Sequence, residues 1–165
     1  MKIGVTQMTA LLVAVLLVGC APRLTRGESS GLKWHVTELT TSERPATYIG
    51  YKSDGRVKVY RYVVVLEENS GVGVNFGQVE TTILARPGAR PTSRTQGLSS
   101  RLPANGHLRI PMADSTWLVV PQWFEGAART LNDDPVARKV FKGLNDSGEP
   151  VKIAIEFHLE SIPPR

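Results

Sequence analysis

The side chains able to do chemistry in this chain are few and scattered. Three histidines stand at His35, His107 and His158. None has the H-x-H or H-x-x-x-H spacing that brings two imidazoles to one metal ion. Each falls at a polar position of an alternating stretch, which predicts solvated strand histidines and no metal site. Glu67-Glu68 and Asp133-Asp134 are adjacent acidic pairs. Neighbours on a strand point to opposite faces, so neither pair by itself makes a two-carboxylate acid–base site. No G-x-S-x-G, P-loop or G-x-G-x-x-G occurs. Gly71-Val72-Gly73 lies between strands and not ahead of a helix, where it would cradle phosphate. The expectation is a chain with no catalytic residue, no metal and no cofactor.

Two sets of residues stand out from this background. Between Glu80 and Asp114 there is no acidic residue and no lysine, yet there are five arginines: Arg86, Arg90, Arg94, Arg101 and Arg109. A guanidinium holds phosphate or carboxylate through paired donors, so the run suits an anionic partner. A solvated basic loop is the alternative reading. The second set is Trp117, Trp123 and Phe124. These aromatics suit either a binding platform for carbohydrate or peptide, or the closing of one end of a core.

The one cysteine, Cys20, ends the one long apolar run, Ala10–Val18. Nine residues make about 14 Å of helix at roughly 1.5 Å per residue, short of a bilayer core of about 30 Å. With Lys2 ahead of it, the run has the shape of a signal-peptide core. Leu17-Val18-Gly19-Cys20 followed by Ala21 resembles the bacterial lipobox. The resemblance implies that Leu17, Val18 and Gly19 precede the cut made by signal peptidase II. It implies that Cys20 becomes the N-terminus, with a diacylglyceryl group on its sulfur and an acyl chain such as palmitate on its nitrogen. Ala21, where an aspartate would retain the protein at the inner membrane, implies the outer membrane with the domain in the periplasm. A plain secretory signal with a chance cysteine, or an N-terminal membrane anchor, is the competing reading of the same residues.

The elements that would carry these groups read as strands. The 165 residues include 15 glycines and 11 prolines, with 41% apolar and 21% charged residues, which suits one turn-rich globular domain. Residues 21–31 are polar and lack periodicity, predicting a tether behind the lipid. Leu32, Trp34 and Val36 alternate with polar residues; Thr47–Tyr51 is a short candidate strand, with turn residues after it. Val57–Leu66 is apolar on both faces, as in a central strand, and reads as a hairpin with the strand that follows. Val72, Val74 and Phe76 share one face, but past Gly77 the apolar set moves to Val79, Thr81 and Ile83. This phase change predicts a bulge at Gly77. Residues 86–103 read as loop and 107–112 and 116–120 as strands; 124–134 reads as irregular, with room for a helical turn or two because Asp133-Asp134-Pro135 resembles a helix start. Ala137–Leu144 and Val151–Leu159 flank a turn at Asn145–Gly148, giving a terminal hairpin.

The fold expected is an all-β, two-sheet antiparallel sandwich of seven or eight strands with Greek-key links. Its last hairpin resembles that of immunoglobulin-like and fibronectin-type-III-like modules in bacterial envelope proteins. The domain plan is a signal peptide at 1–19, the lipidated terminus and tether at 20–31, and the sandwich at 32–165. The formal charge of +5 and the envelope address together direct attention to lipid head groups, peptidoglycan or an envelope protein as partners and away from nucleic acid. The function expected is a non-enzymatic, lipid-anchored binding or structural module. The alternative is a ligand-binding or enzymatic lipoprotein acting on an anionic glycan or lipid.

Overall fold

The computed structural model describes residues 25–47, 54–84, 91–118 and 134–165. Leu17, Val18, Gly19, Cys20, Arg86, Arg90, Trp123 and Phe124 lie outside them. The described chain forms eight strands: β1 Arg26–Ser29, β2 Leu32–Thr47, β3 Asp54–Glu67, β4 Val74–Leu84, β5 Thr92–Leu102, β6 His107–Leu118, β7 Val136–Asn145 and β8 Pro150–His158. A single 3-10 turn, Leu159–Ser161, follows β8. One sheet has the order β1-β2-β3-β6 and the other β5-β4-β7-β8. Every strand pairing within them is antiparallel. The architecture is the two-sheet sandwich that the alternation predicts.

Period-two burial builds the core from both sheets. The first sheet contributes Trp34, Val36, Tyr62, Val64, Leu66 and Ile110, and the second contributes Phe76, Val79, Phe141, Ile153, Ile155 and Phe157, all buried. Tyr62 meets Phe157 edge-on across the gap, with ring centroids 5.4 Å apart. The Gly77 bulge is present. The register of β4 shifts between Phe76 and Gln78 against both neighbours, so Val74 and Phe76 before it and Val79, Thr81 and Ile83 after it all face inward. The β7–β8 hairpin also follows the sequence reading. The Asn145 side chain accepts the Ser147 amide at 3.0 Å and the Glu149 amide at 2.8 Å, and Gly148 takes a φ of 81°.

Four expectations are corrected. β3 and β4 are not a hairpin, because they belong to different sheets; residues 68–73 carry the chain across the sandwich. Asp54 and Gly55, read as turn, already belong to β3. Residues 92–102, read as loop, are the edge strand β5. Its residues 92–97 are all exposed, so no apolar alternation marks it in the sequence. The supposed tether contains β1. Ser30 and Gly31 both take positive φ, 53° and 74°, the geometry of a two-residue hairpin turn, and Ser29 then pairs with Leu32.

Two of the crossings between the sheets, β3 to β4 and β5 to β6, are tied together by one carboxylate. Glu68 is buried. It accepts the Ser70 hydroxyl, the Gly71 amide at 3.0 Å and, from the second crossing, the Asn105 amide at 2.7 Å. The Ser70 hydroxyl, working against burial and helped by the Asn105 and Ser70 amides, holds this carboxyl at about 2.

Candidate functional site

The sheet register lines up a polar row inside the second sheet. On its inner face Arg94 of β5 stands opposite Thr81 of β4, and Thr81 stands opposite Lys139 of β7. Facing this row from the first sheet are Asp114 of β6 and Tyr62 of β3. Asp114 is the hub. One carboxylate oxygen, Oδ2, accepts Lys139 Nζ at 2.7 Å and the Tyr62 hydroxyl. The other, Oδ1, accepts Arg94 Nη2 at 2.8 Å, and the same nitrogen donates to the Ala113 carbonyl at 2.5 Å. Lys139 also donates to Thr81 Oγ1 at 3.0 Å, and its nitrogen lies 5.7 Å from the centre of the Tyr62 ring. Lys139 is 0% exposed and Asp114 3%, so this is an ion pair sealed between the sheets. Arg94 is half in solvent and closes the open β5/β6 side of the sandwich over it.

The electrostatics follow from that burial. Removing the amine from water pushes Lys139 down from 10.5 to about 8, and Asp114 opposes the shift without cancelling it. Burial, followed by the charge of Asp114 and its hydrogen bond, pushes the Tyr62 phenol well above its usual 10. A buried ammonium whose pKa falls on folding works against the folded state until it loses its proton. Between about pH 8 and 10.5 the unfolded chain carries a proton that the folded chain has released, so stability rises with pH through that window. Above pH 10 unfolded tyrosine ionises while Tyr62 stays protonated, and stability falls again. We expect urea midpoints to rise between about pH 7.5 and 9.5 and expect Lys139→Met to flatten that rise. A flat wild-type profile would contradict the assignment.

The predicted arginines separate into three groups. Arg86 and Arg90 lie outside the described residues. Arg101 pairs with Asp146 at 2.9 Å and donates to Asn75 at 3.1 Å, at the far end of β5. Arg94 and Arg109 come toward one region, but from strands and not from a loop. Arg109 of β6 reaches across to Glu38 of β2. Glu38 sits in a bulge of β2, where the register shifts between Thr37 and Thr40, and has a φ of 60°.

Beside this pair is an open groove of about 570 Å³ on the outer face of the first sheet. Val63, Pro111 and Ala113 contribute apolar surface to it, while Arg61, Arg94 and Arg165 bring guanidinium groups. Arg61 and Arg165 were not singled out by the sequence reading. Arg61 shares the outward parity of β3 with Val63, which is the signal that could have placed it. Of the aromatic set, Trp117 stands opposite Val57 on β6; its side chain, like Trp123 and Phe124, is outside what is described. The three histidines lie at exposed or half-buried positions. His35 faces Glu67 at 3.3 Å and His158 faces Asp134 at 3.1 Å.

No protein-family model matches the chain, and no curated protein does. Solved structures do. Northeast Structural Genomics Consortium target SoR45 superposes with a TM-score of 0.56 at 9% identity, over 79% of this chain and 87% of that one. A putative ApaA protein from Bordetella pertussis gives 0.41 at 17% identity, over 78% and 95%. A protein from Archaeoglobus fulgidus gives 0.37 at 9% identity, over 73% and 97%. The first of these shares the sandwich fold with this chain and shows nothing beyond the fold.

Proposed function

We propose that the chain is a lipid-anchored lipoprotein of the bacterial cell envelope. Its immunoglobulin-like or fibronectin-type-III-like sandwich would be a non-enzymatic binding module on the periplasmic face of the outer membrane. The observation that carries this reading is the placement of Cys20, the one cysteine, directly behind the apolar run 10–18. Each buried acyl CH₂ contributes about 0.8 kcal/mol, so a lipid-modified Cys20 holds the protein on a bilayer almost permanently.

Two further facts support it. The sheet begins close behind the anchor: the Val36 amide donates to the Thr25 carbonyl at 2.7 Å. Residues 21–25 span at most about 18 Å even when fully extended, so the domain stays near the head groups. The buried ionisable cluster of Lys139 and Asp114 is sealed from solvent, which suits a structural strut better than a nucleophile or general base.

Mass spectrometry of the mature protein is the test. The expected N-terminal peptide begins at Cys20 with diacylglyceryl and acyl mass added, and Cys20→Ala carries no such mass. A mature chain beginning at any other residue would overturn the proposal.

A further inference from the structure

We propose that the groove holding Arg61, Arg94 and Arg165 seats the phosphate of an anionic lipid head group, docking the outer face of the first sheet on the membrane that holds Cys20. This rests on the anchored reading above and adds to it a ligand and an orientation. The charge balance of the groove is the first argument. Its lining side chains include one carboxylate, Glu38, already taken by Arg109, against three guanidinium groups, which leaves the groove basic even with the backbone carboxylate of Arg165 counted. Arg61 uses Nη1 on Ser42 at 3.0 Å, and Arg94 uses Nη2 on Ala113 and Asp114. Both are exposed or half-exposed, with donors left for an oxyanion, and the exposed Arg165 completes the set. Fork-shaped donors converging on a small apolar floor suit a phosphate whose ester chains continue away from it.

The second argument is where the anchor enters. Thr25 docks on Val36, while Pro163 and Pro164 dock three residues further along β2, at Leu39. The Leu39 amide donates to the Pro163 carbonyl at 2.9 Å, and Leu39 bridges Pro164. Thr25 and the backbone bearing Arg165 therefore adjoin one short stretch of β2, Val36 to Leu39. Arg61 on β3 and the β6 carbonyl gripped by Arg94 are one and two strand spacings away, about 5 and 10 Å. The lipid anchor and the arginine groove thus meet the bilayer at the same corner of the domain. An arginine near an anionic surface strengthens attachment about five-fold at physiological salt, so removing two should lower the docked-to-undocked ratio about thirty-fold.

The test uses the mature lipidated protein, beginning at Cys20, reconstituted in vesicles, with a fluorophore on Ser115→Cys. That exposed position lies on β6 two residues beyond Ala113. The quencher is a lipid labelled on its head group. Quenching should be strong in vesicles of phosphatidylcholine mixed with phosphatidylglycerol and weak in phosphatidylcholine alone. Arg61→Ser/Arg165→Ser should lose it in the mixed vesicles while still floating with them; Arg94 is left intact because Asp114 depends on it. Equal quenching in the two lipids, or quenching that survives both substitutions, would overturn the proposal. So would inorganic phosphate or peptidoglycan fragments binding the groove in neutral vesicles without any lipid-dependent quenching, which would assign it to soluble anions. Failure of the anchored reading looks different: wild type and variant alike would fail to float, and both proposals would fall together.

Discussion

Asp114→Ala is expected to destabilise the domain by about 3–5 kcal/mol, the range for removing one partner of a buried ion pair. At this chain length that is a fall in Tm on the order of 10–20 °C. The reason is asymmetry. Asp114 accepts from Lys139, Tyr62 and Arg94. Without it, Lys139 keeps only Thr81 as a hydrogen-bond acceptor, and the Tyr62 hydroxyl keeps none among its described contacts. Lys139→Met is expected to cost far less, about 1–2 kcal/mol. Asp114 then retains a guanidinium and a phenol, and the thioether fills the space that the lysine stem occupied. Combining Asp114→Leu with Lys139→Met should recover most of what Asp114→Ala loses, because no charge is left buried and unpaired. Thermal unfolding of the three variants checks the order. An Asp114→Ala variant within about 1 kcal/mol of wild type would show that the network contributes little.

Part of this network is legible in the sequence. Lys139 has the parity of Ala137 and Phe141, and Asp114 has that of Ile110 and Met112. Lys139 therefore lies on a face that the alternation assigns to the core, whereas Asp114 falls between the predicted strands 107–112 and 116–120 and takes its inward parity only from the continuous β6; the two have opposite sign. What the sequence withheld was which strands face one another. Lys139 and Asp114 are 25 residues apart, in different sheets, and only the sandwich brings them together. Strand β5 was hidden for another reason. A strand needs alternation to be recognised, and alternation needs one buried face. Thr92–Gly97 has none, because Arg94 lies against the open side of the sandwich in place of an apolar residue. Of the groove arginines, Arg94 alone belongs to the acid-free run. Arg61 and Arg165 lie elsewhere in the chain, and the register of β2 with β3 and the contact of Leu39 with Pro163 and Pro164 bring them beside it.

Gly77 is the glycine that the phase change of β4 picks out, yet Gly143 on the neighbouring strand is the one that cannot be replaced. Where β4 bulges, its backbone swings toward β7, and Gly143 is paired with Phe76 at that point. A Cβ on Gly143 would lie 2.2 Å from the Asn75 carbonyl oxygen and 2.9 Å from Phe76 Cα. These are backbone atoms of a paired strand in the middle of its sheet, and no rotamer change moves them away. Gly143→Ala must therefore part β4 from β7 and break ladder hydrogen bonds in a buried sheet. The expected loss is roughly 4 kcal/mol, above the usual overpacking range because nothing can relax around the methyl group. Gly77 and Gly97 have no such neighbour within 4 Å and no positive φ. Alanine there should be neutral or stabilising by up to about 1 kcal/mol, through the unfolded chain. Urea denaturation of the three single variants decides the matter. If Gly77→Ala proved the most damaging, the bulge would depend on the glycine that forms it; the close approach instead places the requirement on the strand that must accommodate it.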